Sequence, residues 1–219
     1  VIGSNMQATA PKGTMTCIIG RNGTGKSTLL RSIARLQNRL GGDILLNGHS
    51  IDSYAQDEFA RLLSIVLTSR PDAQSMTVYE LVALGRTPYT GFWGRLSDED
   101  RKIVDHALYM VGMQNMSRRR VCSLSDGECQ KVMIAKSLAQ GTPIILLDEP
   151  TAFLDFHGKV ELLTLLRRLA HNEGKTILLS THDLEAALQT ADRLWMLDKD
   201  GIHEGEPKLL VANGDVDRY

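Results

Sequence analysis

The run Gly20, Arg21, Asn22, Gly23, Thr24, Gly25, Lys26, Ser27, Thr28 limits what this chain can fold into more than any other stretch. It completes the pattern G-x-x-x-x-G-K-[ST] of a phosphate-binding loop. Its surroundings agree, because the apolar run at residues 15–19 precedes it and a helix-forming run at residues 29–39 follows. Glycine permits backbone torsions and close approaches that a β-carbon forbids, so successive N–H groups can turn inward around a polyphosphate. Lys26 is then placed to reach the β and γ phosphates, Ser27 to offer a hydroxyl to Mg²⁺, and the helix N-terminus to add partial positive charge. A plain glycine-rich turn is the alternative, and the strand and helix on either side weigh against it. The expectation is a chain that binds a nucleoside triphosphate.

A second constellation lies far along the chain. Ile144, Ile145, Leu146 and Leu147 are solidly apolar, and the carboxylates Asp148 and Glu149 follow at once. A strand of this kind suits a parallel sheet covered on both faces. Where it turns acidic at its C-terminal end, it delivers charge to the crevice in which open α/β sheets bind ligands. In a phosphate-loop protein Asp148 is expected to hold Mg²⁺ through water, and Glu149 to take a proton from, or orient, an attacking water. Acidic residues simply facing solvent are the alternative, which the upstream loop again disfavours.

Around these anchors the chain alternates strand and helix. Residues 1–19 read as two strands about the turn at Pro11, Lys12 and Gly13. Residues 41–48 read as an alternating strand ending in an Asn47-Gly48 turn, hence an antiparallel hairpin region. Residues 61–67 are the next strand candidate, running into a proline-bearing loop at 68–72. From 77 to 140 the apolar spacing becomes helical, through Val78, Leu81 and Val82, then Val104, Leu108 and Val111, then Val132, Ala135 and Leu138. Residues 85–96 form a long aromatic-bearing loop within that block. The β/α pattern then resumes with an amphipathic helix through Leu162, Leu163, Leu166 and Leu169 closed by Gly174, a strand at 176–179, and a last strand at 194–197 turning at 198–201. The expected fold is α/β: a phosphate-loop NTPase core with a mixed, mainly parallel sheet, an antiparallel β subdomain and an inserted helical subdomain. The core would comprise residues 1–74 and 141–219, and the helical insertion residues 75–140.

Composition narrows the partners. At 219 residues the chain can bury a sizeable core. A formal net charge of -1 gives no electrostatic case for nucleic acid or anionic lipid, and the run Arg118, Arg119, Arg120 reads as a solvated helix end. Cys17, Cys122 and Cys129 form no CxxC pair and read as reduced thiols without a metal or disulfide role. No apolar run reaches the length of a membrane span and no signal peptide opens the chain, so other chains would do any crossing. The chain opens on Val1, and the natural start is expected upstream.

Ser125 with Glu128 three residues on forms a capping box at the start of a helix reaching about Gln140. That explains the pair fully, yet the same helix start is also a ready anion site. Taken in order, several motifs resemble one family. They are the phosphate loop, the helical insertion, Leu124-Ser-Asp-Gly-Glu128, Asp148-Glu-Pro-Thr151, Phe153-Leu-Asp155 and Ser180-Thr-His-Asp183. Together, over nearly the whole chain, they resemble the nucleotide-binding subunit of an ATP-binding cassette transporter.

By that resemblance Ser125, Asp126, Gly127 and Glu128 would contact the γ-phosphate of ATP bound by a second, head-to-tail copy. Asp155 would lie on the loop crossing that interface, and His182 would hydrogen-bond the γ-phosphate. ATP and Mg²⁺ are the implied cofactors. The implied partners are a second ATPase subunit, transmembrane permease subunits and, indirectly, a substrate-binding protein, at the cytoplasmic face of the cell membrane. Asp126 stands where the family usually has Gly, and Thr68 where it usually has Gln; Thr68 can offer a hydroxyl toward Mg²⁺ or water, and Gln74 is a weaker substitute. The aromatic that stacks on adenine would lie upstream of Val1. Gly20-Arg-Asn-Gly23 and the stretch from Leu81 through Gly85, Arg86 and Pro88 to Tyr89 resemble the importers of iron-siderophore, haem and cobalamin complexes. Rival readings are a soluble cassette ATPase for assembly or remodelling, distinguished by its co-purifying partner, and a phosphate-loop kinase, distinguished by a phosphorylated small-molecule product.

Overall fold

Every residue of the strand Met15–Ile19 (β1) is buried, which is possible only for a strand covered on both faces. The computed structural model describes residues 6–69, 71–73, 75–91, 93–198 and 201–216. After β1 come α1 (Lys26–Ile33), the short strands β2 (Leu45–Leu46) and β3 (His49–Ser50), α2 (Gln56–Leu62) and β4 (Leu63–Val66). Three helices follow, α3 (Val78–Ala83), α4 (Asp98–Met110) and α5 (Asp126–Gln140). The chain then runs through β5 (Ile144–Leu147), α6 (Phe156–Glu173), β6 (Thr176–Thr181), α7 (Leu184–Thr190), β7 (Arg193–Leu197), β8 (Ile202–Gly205) and α8 (Pro207–Ala212).

The main sheet has the order β4-β5-β6-β1-β7-β8. Its pairings are parallel from β4 through β7, and β8 closes the edge antiparallel to β7. The strands are solidly apolar because each face meets a different core. Cys17, Ile145, Leu147, Ile177 and Leu179 pack into the cluster shared with α3 to α7. Ile18, Leu146, Leu178 and Trp195 pack into the one shared with α1, α2 and the hairpin. Each such leucine or isoleucine stabilises the fold by about 1.5–3 kcal/mol on burial. The parallel arrangement brings the C-terminal ends of β1, β4, β5 and β6 to one edge, where the apolar runs give way to Gly20, Thr68, Asp148 and His182.

Several expectations are corrected. No strand precedes the turn at Pro11 among the described residues 6–14, whose backbone Thr9 N–H instead bonds Glu204 Oε2 at 2.7 Å. The strand read at 61–67 begins at Leu63, because Arg61 and Leu62 complete α2. The 41–48 strand shrinks to Leu45–Leu46 paired with His49–Ser50, about a turn with Asn47 at φ 52° and Gly48 at φ 83°. The loop at 85–96 begins as a 3₁₀ turn over Leu84–Tyr89. Strand β8 and helices α2, α7 and α8 were not anticipated; they are short elements whose apolar positions are too few to show a period. Gln74, residues 1–5 of the expected first strand and residues 199–200 of the last turn lie outside the described residues. Cys17 and Cys129 are buried and Cys122 is exposed. No described helix is long and apolar enough to cross a membrane.

The helical insertion is keyed to the core by polar contacts inside an otherwise apolar seam. Ser64 on β4 shares hydrogen bonds with Ser137 on α5 and with Thr142. Gln140 Nε2 donates to Ala60 O at 2.7 Å. Gly85 lies so close to α5 that a β-carbon there would stand 2.3 Å from Lys136 O. Beside it, buried Arg86 donates to Asp100 Oδ1 and to Ala139 O, each at 2.8 Å, and stacks on Tyr89 with Cζ 3.9 Å from the ring centroid. Hydrogen bonds from Ser97, then from Arg86, hold the Asp100 carboxyl at about 2, below its ordinary 3.8. The stretch from Gly85 to Tyr89 therefore serves to dock α4 and α5.

Gly85→Ala is expected to destabilise the protein by about 3 kcal/mol, because the backbone carbonyl it meets cannot rotate away; urea midpoints measure this. Because the folded value of Asp100 is depressed, its contribution is present in full above its ordinary 3.8 and is lost as pH falls through about 2. Asp100→Asn should thus be less stable than the parent at neutral pH, and the gap between their urea midpoints should narrow over that acidic window.

Candidate functional site

The loop between β1 and α1 has the backbone of an anion cradle. Gly23 adopts φ 84° and Gly25 φ 99°, torsions that cost an L-residue about 1–2 kcal/mol. Gly25 opens α1 without any side-chain cap, so the first amides of the helix remain available to a ligand. Arg21, Asn22 and Gly23 are exposed, and Thr28 is half-buried in the first turn of α1. Thr24 Oγ1 donates to Arg21 O at 2.9 Å and tightens the loop.

Lys26 is 5% exposed. Its Nζ donates to Gly20 O at 2.5 Å and Arg21 O at 3.4 Å, and lies 4.0 Å from Glu149 Oε1. Burial lowers its pKa, opposed by the charges of Glu149 and Asp148. Ser27 Oγ donates to Asp148 Oδ1 at 2.8 Å, so the phosphate loop and the acidic strand end, 121 positions apart, meet in one hydrogen bond. A hydroxyl and a carboxylate are hard oxygen donors of the kind Mg²⁺ accepts when substrate phosphates complete its shell. Among the described residues no cluster of three His, Cys, Asp or Glu is built to hold a metal without such help. The donor set therefore fits Mg²⁺ bound together with a nucleotide.

Glu149 reaches both neighbours, with Oε1 4.0 Å from Lys26 Nζ and Oε2 3.4 Å from His182 Nδ1. His182 follows β6 and is half-exposed; the next residue, Asp183, caps α7 by accepting from Ala186 N, which lowers its own pKa. Thr68 donates its hydroxyl to Asp148 O at 2.7 Å, tying the loop after β4 to the acidic pair. The expected residues Lys26, Ser27, Thr68, Asp148, Glu149 and His182 are thus brought to one edge. The sequence gives Ser180 no role apart from its motif, although its hydroxyl touches both Asp148 and Glu149; a serine directly after the apolar run Ile177, Leu178, Leu179 is the available signal.

Ser125, Asp126, Gly127, Glu128 and Asp155 form a second grouping. Ser125 Oγ accepts from Glu128 N at 3.3 Å, and Glu128 Oε2 accepts from Ser125 N at 2.8 Å, which lowers the Glu128 pKa. The capping box is therefore real. Ser125 and Asp126 are exposed. Asp155 Oδ1 accepts from Gly158 N at 2.8 Å and caps α6. The two helix starts adjoin, since a β-carbon on Gly127 would meet Leu154 Cδ2 at 3.3 Å. The large groove of about 760 Å³ between α4 and α6 is lined by none of these residues.

Residues 4–152 match the family described as ABC transporter. The chain is 40% identical over 217 residues to the iron(3+)-hydroxamate import ATP-binding protein FhuC of Bacillus subtilis, covering 99% of this chain and 80% of that one. It is 44% identical over 209 residues to the achromobactin transport ATP-binding protein CbrD of Dickeya dadantii, covering 94% and 77%. Across the curated relatives that it matches, the chain spans from 52% to 80% of their length. A dimeric structure of a bacterial ABC transporter cassette superposes with TM-score 0.81 at 28% identity, covering 94% of this chain and 90% of that one.

Gly23→Ala should lower stability by about 1 kcal/mol, since a methyl there meets nothing within 4 Å and only the φ of 84° is penalised. Thermal denaturation without nucleotide measures that cost. Titration with ATP should show weaker binding in addition, because the cradle's amides shift with the torsion.

Proposed function

Because this chain belongs to the ABC transporter family of ATP-binding proteins, we propose that it hydrolyses ATP to power import of a metal chelate, of the iron-siderophore, haem or cobalamin kind, through separate transmembrane subunits. Two named relatives serve hydroxamate-iron import and achromobactin transport, which supports the cargo class. The carrying observation is Glu149, whose two carboxylate oxygens lie 4.0 Å from Lys26 Nζ and 3.4 Å from His182 Nδ1 at the end of β5. A carboxylate beside a cation and an imidazole is placed to take a proton from water attacking a terminal phosphate.

In this reading the 20–28 loop wraps the polyphosphate of ATP, whose oxygens offer Lys26 stronger acceptors than the loop carbonyls it bonds otherwise. Ser27 and Asp148 would hold Mg²⁺, with Thr68 able to lend its hydroxyl oxygen at the same edge. When bound, the ion neutralises charge on the phosphates. Water attacks the γ-phosphorus, Glu149 accepts the proton, the bond to the β-phosphate oxygen breaks and ADP leaves; His182 orients the γ-phosphate. Ser125, Asp126, Gly127 and Glu128, with Asp155, would complete the site of a second copy, so that ATP closes a homodimer and hydrolysis reopens it. The insertion, residues 75–140, would carry that motion from the core at 1–74 and 141–219 to the permease at the cytoplasmic face of the membrane, with a substrate-binding protein acting indirectly.

Glu149→Gln should bind ATP as the parent does and lose turnover by about 100-fold or more; unchanged hydrolysis would remove Glu149 from this role. Hydrolysis by the parent with its membrane partner in lipid, tested against ferric-siderophore, haem and cobalamin complexes on binding proteins, reads the cargo. Stimulation by one complex supports import of that class, and indifference to every membrane partner and cargo favours a soluble module instead.

A further inference from the structure

The acidic pair follows β5 and the histidine follows the neighbouring β6, and one side chain on β6 reaches the acidic pair. Ser180 sits on β6, opposite Ile18 of β1 on one side and beside the end of β5 on the other, and is fully buried. Its Oγ donates to Asp148 Oδ1 at 2.8 Å and accepts the Glu149 backbone N–H at 2.8 Å. Asp148 Oδ1 also receives Ser27 Oγ at 2.8 Å. One carboxylate oxygen is thus pinned by two hydroxyls from different elements, which stops rotation of the carboxylate about its bond to Cβ. Glu149 meanwhile has φ 45°, a conformation that a residue with a β-carbon holds only when its surroundings impose it. The bond from its N–H to Ser180 is a direct restraint on that turn.

We propose that Ser180 is a positioning residue for ATP hydrolysis: through one hydroxyl it sets the rotation of the Asp148 carboxylate and holds the Glu149 turn that puts its carboxylate beside His182. The proposal rests on the function proposed above. Because Ser180 lies on β6 two positions before His182, the hydroxyl also fixes the strand that leads into the histidine against the strand that leads into the base. Neither Asp148 nor Glu149 could supply this restraint itself, since a carboxylate accepts but does not donate. A simple space-filling residue would not serve either, because the buried Asp148 carboxylate and the part-buried Glu149 N–H would each lose a bond without it.

The test compares Ser180→Ala, Ser180→Cys and Ser180→Thr in the full chain, with Glu149→Gln as reference. Ser180→Ala should lower kcat by about tenfold or more while KM for ATP stays within about twofold. Binding of a fluorescent ATP analogue, with and without Mg²⁺, should likewise stay within about twofold of the parent. Ser180→Thr keeps the hydroxyl but adds a methyl in a fully buried place, so it should regain much of kcat while melting lower than Ser180→Ala. Ser180→Cys fits the space with a weak donor, and the order Ser, Cys, Ala in kcat is read even if threonine is not accommodated. A kcat for Ser180→Ala within twofold of the parent, or a loss that follows melting temperature across the series, overturns the proposal. If Glu149→Gln is inactive while Ser180→Ala matches the parent, only the positioning role fails; if Glu149→Gln still turns over, the reading of the site fails with it.

Discussion

A carboxylate buried at the end of a strand is the interaction on which the rest of this structure depends. Asp148 is 3% exposed, and a charge so placed costs several kcal/mol unless donors surround it. Those donors come from Ser27 on α1 and Ser180 on β6, while Thr68 bonds the Asp148 carbonyl and the Asp148 N–H bonds Val66 O on β4. Satisfying one residue therefore brings together the phosphate loop, the central strand and the loop that follows β4. Removing Asp148 would leave both hydroxyls seeking new partners in the same confined place, which is why the site and the sheet edge form one unit.

The same sheet explains why chemistry collects where it does. With β4, β5, β6 and β1 parallel, their C-terminal ends share an edge, and the apolar faces beneath admit few polar groups. Lys26 shows the consequence: burial lowers its pKa and neighbouring carboxylates act against that shift, so the ammonium belongs to a network with a ready place for phosphate oxygens. The second grouping, at the starts of α5 and α6, is built differently. Its polar side chains first satisfy their own helix ends, as the reciprocal bonds of Ser125 and Glu128 do, and any contact with another molecule uses what those bonds leave.

The helical insertion is attached by shape as much as by area. Gly85 lets two elements approach to a distance no other residue allows, and Arg86, Asp100 and Tyr89 close the seam with an ion pair, a carbonyl bond and a stacked ring. Residues that looked in the sequence like a mark of a particular transporter group are, in the fold, packing devices. If the insertion carries motion to a membrane partner, as we propose, these contacts are the ones through which it passes from the core.

What the sequence determined by itself are the features whose partners are close in the chain. The phosphate loop is one, with its lysine and serine on the first turn of a helix. The capping box at Ser125 is another, because three residues of spacing suffice for it, and the apolar runs at β5 and β6 announce strands buried on both faces. The expected strand before Pro11 failed, and the strand at β4 started two residues late, because a short apolar run has the same composition in a helix end, a coil or a strand. Tertiary structure alone decided that Ser180 meets Asp148 and Glu149, that Thr68 meets the Asp148 carbonyl and that Gly85 touches Lys136. Those contacts depend on the register between parallel strands and on how helices dock. A strand apolar on both faces carries no alternation from which its register could be read, so the partners emerge only once the sheet is assembled.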